Sequence, residues 1–347
     1  MSVLRSSFFA TLPVRFHPET LPAGARFYRD GYRPMRSRIE RYTVKAPSRI
    51  GYHLLRTLDR CGTGEASVTT GGRTLRFAFR AANTQFHSIY LPIFASGFET
   101  ETGLLLHMLA GRHGTFFDIG SNWGHYSVTI GLYEGFEGRI HAFEPAAATY
   151  GDLVSVTTAL GLSDRVTCHN LATGRTNAGG SLSIPDKVHS GIARVSASGG
   201  GETIRIARLD DLGLPTPTAM KIDVEGSEHD TLLGAEATLA SARPFIVMES
   251  AANDAGTRPA LALLERHRYR LFQPYLLLEG GAEDDPYPYD RPIPEGVAAR
   301  LCLLPFEAAW RTLLQSHFNV FACPEEKLAV VERKLAAPSF AEAVATE

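Results

Sequence analysis

Three carboxylates stand close together in the sequence KIDVEGSE, residues 221–228: Asp223, Glu225 and Glu228. Runs of acids usually lie on a solvated surface, but the apolar residues before this run indicate a buried strand that ends here. Acids at the end of a core strand can hold an ammonium group, orient a substrate hydroxyl group or accept its proton. Their function therefore depends on what the fold brings to the same place.

A second candidate site is the sequence FFDIGSNWGHYS, residues 116–127. It predicts a strand ending at Asp118, a turn at Gly120, and a helix that begins around Gly124. Free N–H groups at a helix N-terminus bind polar ligand groups, and parallel sheets bind ligands where such turns follow their strands. We therefore expect a cofactor on this turn, with the acid Asp118 suited to a cationic ligand group.

The residue types at this turn select among cofactors. Asn122 occupies the position of the second glycine of GxGxxG, which disfavours a dinucleotide, and the GK[ST] of a P-loop is absent. The next predicted strand, HAFEP, ends at Glu144, whose two carboxylate oxygens can accept both hydroxyl groups of a ribose. An amino-acid ammonium group together with a ribose describes S-adenosylmethionine.

Four sequence strings, DIGSNWGHYS, FEP, KIDVEGSE and NVFACP, occur in this order along the chain. With them the sequence resembles the FkbM family of S-adenosylmethionine-dependent methyltransferases over roughly residues 90–325. The resemblance implies the class I methyltransferase fold, a Rossmann-like α/β sheet of seven strands with the last one antiparallel. It also implies methylation of a hydroxyl group on a sugar or natural product.

The resemblance assigns site residues position by position. It implies a cofactor site of these residues: Asp118, Gly120, Ser121, Asn122, Gly124, Tyr126, Ser127, Glu144, Pro145, Asn170, Ala172, Thr173 and Asp223. Adenine is expected where the third strand ends. Ala172 and Thr173 stand there in place of a Ser-Asp-like pair, so we expect Thr173 or Asn170 to supply the hydrogen bond.

Methyl transfer to an oxygen atom needs alignment and removal of the hydroxyl proton. We expect Asp223 to be the base or orienting acid, with Glu225 on the opposite face of the extended segment and the loop residue His189 as a further catalytic candidate. Asp223, Glu225 and Glu249 could supply oxygen ligands to Mg²⁺, although their spacing does not require a metal. Glu228 is expected on the solvated first turn of a helix.

These residues must be positioned by the secondary structure around them. From residue 111 onward, short apolar strands alternate with helical stretches, which predicts a mostly parallel sheet covered on both faces. We divide the chain into an Arg-rich N-terminal extension (1–65), a β-hairpin and helix leading into the core (66–110), the methyltransferase domain (111–325) and a C-terminal tail (326–347). Two segments interrupt the alternation: residues 174–209 are predicted to form a loop with short strands, and residues 275–300 a loop.

Composition limits the alternatives. A net charge of −2 over 347 residues disfavours nucleic acid as the partner, despite the Arg-rich start. Four distant cysteines without a CxxC pair, and no long apolar run, favour a cytoplasmic protein without a transmembrane segment. The expected partner is a small-molecule hydroxyl acceptor, with homo-oligomerisation through the N-terminal extension left open. The alternatives are a catalytically silent cofactor-binding protein, N-methylation and a nucleic-acid acceptor.

Overall fold

The computed structural model describes residues 2–32, 40–183, 194–196, 201–251, 256–281, 287, 293–294, 297–314 and 317–346. The first third of the chain forms four strands: β1 (Leu4–Arg5), β2 (Arg15–Thr20), β3 (Thr63–Thr70) and β4 (Arg73–Arg80). Its described residues also form four α-helices: α1 (Ala23–Tyr32), α2 (Ala46–Thr57), α3 (His87–Tyr90) and α4 (Thr100–Ala110). A π-helical segment (Arg41–Lys45) and two 3₁₀ turns (Thr84–Phe86 and Pro92–Phe94) complete this part.

The rest of the chain alternates strands and helices. The strands are β5 (Thr115–Ile119), β6 (Arg139–Phe143), β7 (Val166–His169), β8 (Ala172–Thr173), β9 (Ala178–Ser183), β10 (Arg194–Ser196), β11 (Glu202–Ala207), β12 (Ala219–Ile222), β13 (Phe245–Ser250), β14 (Tyr269–Leu278), β15 (Ala299–Phe306) and β16 (Phe318–Pro324). The α-helices are α5 (His125–Leu132), α6 (Ala147–Ala159), α7 (Glu228–Leu233), α8 (Glu236–Ser241), α9 (Thr257–Arg266), α10 (Leu328–Leu335) and α11 (Phe340–Ala345). In the described part of this region, 3₁₀ turns lie at Leu209–Asp211, Ala308–Leu313 and Glu325–Lys327.

The central sheet has the strand order β1-β15-β14-β16-β13-β12-β5-β6-β7. The five strands from β13 to β7 are parallel, and β16 runs antiparallel between β13 and β14. The seven strands from β14 to β7 therefore have the predicted class I methyltransferase topology, which confirms the expected fold class. Strands β15 and β1 were not predicted, and they extend the sheet beyond β14 by antiparallel pairing.

Side chains alternate between the two faces of the sheet. On one face Phe116 and Val247 pack in one hydrophobic core with helices α4, α5 and α6, and on the other Phe117 and Met248 pack in a second core with α7, α8 and α9. Parallel strands covered on both faces are expected to be apolar throughout. The charged residues Asp118 and Lys221 are exceptions on β5 and β12, and the two strands pair at these residues.

The N-terminal residues are part of this architecture. Strand β2 pairs with β3 and β3 with β4, so the predicted hairpin is part of a three-stranded sheet. The predicted boundary at residues 65/66 falls inside β3. The division into domains and oligomerisation through residues 1–65 stay predictions. In the described part of the chain, no helix combines the length and apolar character needed to cross a membrane.

Candidate active site

A cavity lies at the carboxyl ends of β5, β6 and β12, on the edge where β5 and β12 form the switch point of the sheet. We call it the first cavity. Its lining includes most of the predicted cofactor residues: Asp118, Gly120, Ser121, Asn122, Tyr126, Glu144, Pro145, Ala172, Thr173 and Asp223. The three others, Gly124, Ser127 and Asn170, do not line it.

The turn after β5 is held against both neighbouring strands. The N–H groups of Gly120 and Ser121 donate to the carbonyl of Phe143 on β6 at 3.0 and 2.9 Å. Gly120 has φ +78°, and a Cβ atom there would lie 1.8 Å from the carbonyl oxygen of Asp223. Only glycine combines this backbone conformation with so close an approach to the end of β12.

Asn122 also has a left-handed backbone, with φ +50°. Its N–H donates to Glu144 Oε2 at 3.0 Å, and its Oδ1 accepts from the N–H of Trp123 and from Nδ2 of Asn83. Asn83 belongs to the segment after β4, and the sequence analysis did not predict it. It connects the N-terminal part of the chain to the cofactor turn.

Glu144 ends β6 almost fully buried. Its Oε2 accepts from Asn122 and its Oε1 accepts from the N–H of Ala146 at 2.9 Å, which fixes the carboxylate in one orientation. Burial raises the pKa of Glu144 to about 7, against the lowering effect of these two hydrogen bonds. Each oxygen keeps a further lone pair, so the group can still accept two hydroxyl hydrogens from a diol.

Asp118 is buried at the end of β5. Its Oδ2 accepts from the N–H and the hydroxyl group of Ser127, at 3.0 and 2.6 Å. Burial raises the pKa of Asp118 to about 6. Ser127 therefore holds the acid in place from the first turn of α5 and does not face the cavity, while Gly124, with φ +91°, begins that helix.

Tyr126 lines the first cavity and contacts Glu99, which does not line it. Its hydroxyl group donates to Glu99 Oε2 at 2.5 Å, and its ring lies 5.7 Å from the ammonium nitrogen of Lys221. Glu99 itself has a left-handed backbone, with φ +43°, just before α4. Strained backbone of this kind is often found at ligand sites. The sequence analysis predicted neither Glu99 nor Lys221.

The far end of the first cavity is apolar. Leu171, Ala172 and Leu182 line it, which suits the flat face of an aromatic base. Thr173 already shares a 2.8 Å hydrogen bond with the hydroxyl group of Thr231. Asn170 donates to the carbonyls of Glu144 and Pro145, so its amide positions the turn after β6 and lies outside the cavity.

Asp223, Glu225 and Glu249 are brought together, as predicted. One carboxylate oxygen from each lies within 4.8 Å of the others, which among the described residues makes these three a candidate metal-binding group. The Asp223 carboxylate, followed by burial and then Glu225, raises the pKa of Glu249 well above its ordinary value. Glu249 therefore favours its protonated form beside the other two acids.

Lys221 supplies the positive charge for these acids. Its side chain is 1% exposed, and its Nζ lies 3.3 Å from Asp223 Oδ2. Burial alone would lower the pKa of Lys221, but Asp223, Glu99 and Glu249 outweigh burial and raise it. A buried ammonium group is stable only beside such acids. The predicted catalytic residue His189 lies outside the described residues.

The middle of the chain matches a known protein family. Residues 118–271 match the family model of the methyltransferase FkbM domain. These residues form an FkbM-type methyltransferase domain. The match begins at Asp118 and includes Glu144, Asp223, Glu225 and Glu249, so the predicted family is confirmed over the part of the chain that forms the site.

Solved methyltransferases are similar to the FkbM-domain protein at low identity. Methyltransferase FkbM from Methylobacillus flagellatus is 19% identical with a TM-score of 0.33, covering 55% of this chain and 43% of its own. Precorrin-6y C5,15-methyltransferase from Geobacter metallireducens is 16% identical (TM-score 0.36; 65% and 88% covered). A SAM-dependent O-methyltransferase from Thermotoga maritima is 12% identical (TM-score 0.35; 69% and 77% covered). Likenesses this weak carry no argument about function. No curated protein matches the chain.

The first cavity fits the cofactor of this family. The carboxylate of Glu144 is held in one orientation in which it could accept the hydroxyl groups of a ribose, and the apolar end at Leu171 and Leu182 is compatible with adenine. The acids Asp118 and Asp223 lie at the opposite side of the turn, where an amino-acid ammonium group needs negative charge. The glycine at position 120 lets this turn lie directly against the end of β12, so that Asp118 and Asp223 line the same cavity.

Proposed function

We propose that the protein transfers a methyl group to a hydroxyl group of a small-molecule acceptor, a saccharide or another natural product. The observation that carries this proposal is the group of acids at the wall of the first cavity. Asp223 lines that cavity and Glu249 lines a second cavity behind it, so one acidic wall separates the two. A base at such a wall can reach an acceptor on one side and a cofactor on the other.

The cofactor is expected to lie along the turn after β5. Asp118 and Asp223 hold its amino-acid end, Glu144 its ribose, and Leu171, Ala172 and Leu182 its adenine. When bound, S-adenosylmethionine supplies the electrophilic methyl group. The remaining requirements, which are orientation, exclusion of water and removal of one proton, belong to the protein.

Asp223 is the proposed orienting acid and proton acceptor. The Lys221 ammonium group lies 3.3 Å from Asp223 Oδ2 and offsets its negative charge, and the raised pKa of Glu249 lowers the number of negative charges beside it. A carboxylate is a weak base toward an alcohol. Its main contribution is therefore to orient the hydroxyl oxygen and to take the proton late, as the new bond forms.

A Mg²⁺ ion bound beside Asp223 is an alternative way to activate the acceptor hydroxyl group. Asp223, Glu225 and Glu249 are the residues that would hold it, and a bound ion would lower the pKa of the acceptor hydroxyl group. The buried Lys221 ammonium group already supplies a positive charge there. We therefore expect chelation of divalent cations to leave methyl transfer unchanged.

The test is a methyl-transfer assay on a panel of saccharides and polyketide alcohols, with the product identified by mass spectrometry and NMR. Asp223→Asn should lower kcat by about 100-fold or more, while the exposed control Asp164→Asn should leave it unchanged. Assays with and without EDTA decide the question of the metal. Full activity of Asp223→Asn would contradict its proposed function, and methylation on nitrogen alone would contradict the acceptor class.

A further inference from the structure

The second cavity lies on the other side of the acidic wall and has no assigned ligand. Its lining includes Glu99, Glu101, Glu249, Tyr275, Phe318 and Asn319. Two contacts join it to the first cavity: Glu99 accepts from the hydroxyl group of Tyr126, and Glu249 shares a hydrogen bond with Asp223. A molecule in the second cavity is therefore adjacent to the groups that would handle the acceptor hydroxyl group.

Carboxyl groups form most of the ionisable lining of the second cavity, together with the histidine His317. Three glutamates line it, and no lysine or arginine is found among its described lining residues. Glu99 accepts from Tyr126 and from Nδ2 of Asn319 at 2.8 Å, whereas Glu101 forms no ion pair within the described ranges. Anionic acceptors such as phosphates and carboxylates are disfavoured in a cavity of this kind.

The side-chain oxygen of Asn319 in the wall of the second cavity has no hydrogen-bond donor among the described residues. Asn319 is 7% exposed and uses Nδ2 to donate to Glu99 and to Thr102 Oγ1. Its Oδ1 is buried and accepts no hydrogen bond from any residue that the structure describes. An unsatisfied buried acceptor destabilises a protein, so a hydrogen-bond donor that reached this oxygen would be stabilising.

Aromatic and apolar side chains form the remainder of the wall. Phe94, Tyr275, Leu276 and Phe318 line the same cavity as the three glutamates. Such a lining favours a ligand with a compact carbon ring, and the faces of aromatic rings also attract cations. A long flexible chain or a highly hydrated ion would use this surface poorly.

We propose that the second cavity binds the acceptor as a protonated cyclic amine that also carries a hydroxyl group, the chemistry of an amino sugar or aminocyclitol. The ammonium group pairs with Glu99 and Glu101, and the hydroxyl group points to Asp223. This proposal rests on the proposed O-methyltransferase function and adds the substrate class. A neutral polyol would bring no positive charge to the carboxyl groups of Glu99 and Glu101.

The protonation of Glu101 agrees with this assignment. Burial, followed by the charge of Glu99, raises the pKa of Glu101 to about 7. An arriving ammonium group would lower that pKa again, so Glu101 can ionise at little cost when the ligand binds.

The test uses saturation-transfer NMR near neutral pH with two matched probes, trans-2-aminocyclohexanol and trans-1,2-cyclohexanediol. S-Adenosylhomocysteine is present at saturating concentration to fill the first cavity. The amine should bind at least about tenfold more tightly than the diol. Glu101→Gln should remove about tenfold of the amine's affinity and leave the diol unchanged, and the exposed control Glu279→Gln should change neither.

Each outcome decides the proposal. Equal binding of the two probes, absence of amine binding, or an amine affinity that is the same in Glu101→Gln would overturn it. The comparison of probes on the wild-type protein stands even if the variant fails to fold. Binding of S-adenosylhomocysteine is measured in the same samples, so a failure of the proposed function shows as loss of that binding and is distinguishable from a failure of the amine preference.

Discussion

Individual carboxyl groups of this protein are buried where a ligand would need them ionised. Glu144 and Asp118 have pKa values raised by burial to about 7 and about 6, although both accept hydrogen bonds that favour the ionised form. A ligand that donates to a carboxylate lowers its pKa further. Binding and proton release are therefore coupled at this site.

This coupling predicts a pH dependence of cofactor affinity. Glu144 accepts ribose hydroxyl groups only when it is ionised, and below its pKa of about 7 the protonated form dominates. The dissociation constant of S-adenosylhomocysteine should therefore rise as pH falls from about 7 to about 5, approaching tenfold per pH unit, with Asp118 adding to the slope below about 6. Calorimetry across this range measures it.

Glu144→Gln is the matched variant for the pH series. It should bind more weakly near neutral pH and lose most of the dependence above about pH 6, because Asp118, the other acid of the site with a raised pKa, contributes mainly below that pH. A wild-type dissociation constant that stays flat from pH about 7 to about 5 would be inconsistent with ribose recognition by ionised Glu144.

The sequence predicted which acids lie at this site, but it did not predict how buried they are or which groups they contact. Glu228 was expected on a solvated helix turn, but it is 2% exposed and its Oε1 accepts from the N–H groups of Val224 and Gly226. Left-handed backbone at Glu225 and Gly226 turns the chain back over Glu228, which residue spacing alone does not reveal. Lys221 could have been predicted from the sequence, because a lysine within the apolar strand AMKI needs an acid partner.

The elements around the site meet at strand ends. The turn after β5 contacts the end of β12 through Gly120, and it contacts the end of β6 through Phe143. Register pairs Asp118 on β5 with Lys221 on β12, so the charged residues of two strands lie side by side. A change in the turn is therefore transmitted to Asp223 without any change in the catalytic side chains.

Gly120→Ala tests this junction. The added Cβ would lie 1.8 Å from the carbonyl oxygen of Asp223, so the turn or the end of β12 must shift. We expect a loss of about 3 kcal/mol or more in the free energy of unfolding and loss of cofactor binding. Chemical denaturation and calorimetry provide the two measurements.

Gly72→Ala is the control for backbone conformation. Gly72 has φ +75°, close to that of Gly120, but its Cβ position has open space around it. Its substitution should cost only about 1 kcal/mol, from the strain of a left-handed alanine, and leave cofactor binding intact. Equal effects of the two substitutions would contradict the close contact between the turn and β12.

Strands and helices were predicted correctly where apolar residues recur with a regular period in the sequence. The alternation of strands and helices from residue 111 predicted the seven-strand topology, and the predicted helix at 100–110 is α4. Strand β1 has two residues and carries no periodic signal. Strand β15 was missed because the segment before it is rich in proline and acids, and β14 runs on through Leu278 into the predicted loop 275–300.

At the scale of the whole molecule, the N-terminal residues belong to the main hydrophobic core. Phe8, Ala10, Leu12 and Val14 are buried in the same cluster as Val128 of α5 and Leu153 of α6. Residues 1–50, rich in arginine and interrupted by prolines, gave no indication of this burial because it depends on contacts with distant parts of the chain. The site is thus supported from both ends of the sequence.

Leu12→Ala measures this support. Leu12 is 5% exposed, and its methyl groups lie within 4 Å of the Cβ positions at Gly97 and Gly103. The substitution should lower the free energy of unfolding by about 2–5 kcal/mol. Leu54→Ala, at a leucine that is 58% exposed, should change it by about 0.5 kcal/mol or less. Similar small effects of both would indicate that residues 1–14 fold independently of the core.

The most direct test of the account is a calorimetric titration of the wild-type protein with S-adenosylmethionine and, separately, with NAD. The carboxylate of Glu144, the acids Asp118 and Asp223 and the missing second glycine at Asn122 all predict binding of S-adenosylmethionine at one site per chain and no binding of NAD. Folded protein that fails to bind S-adenosylmethionine, or that binds NAD in its place, would contradict the account.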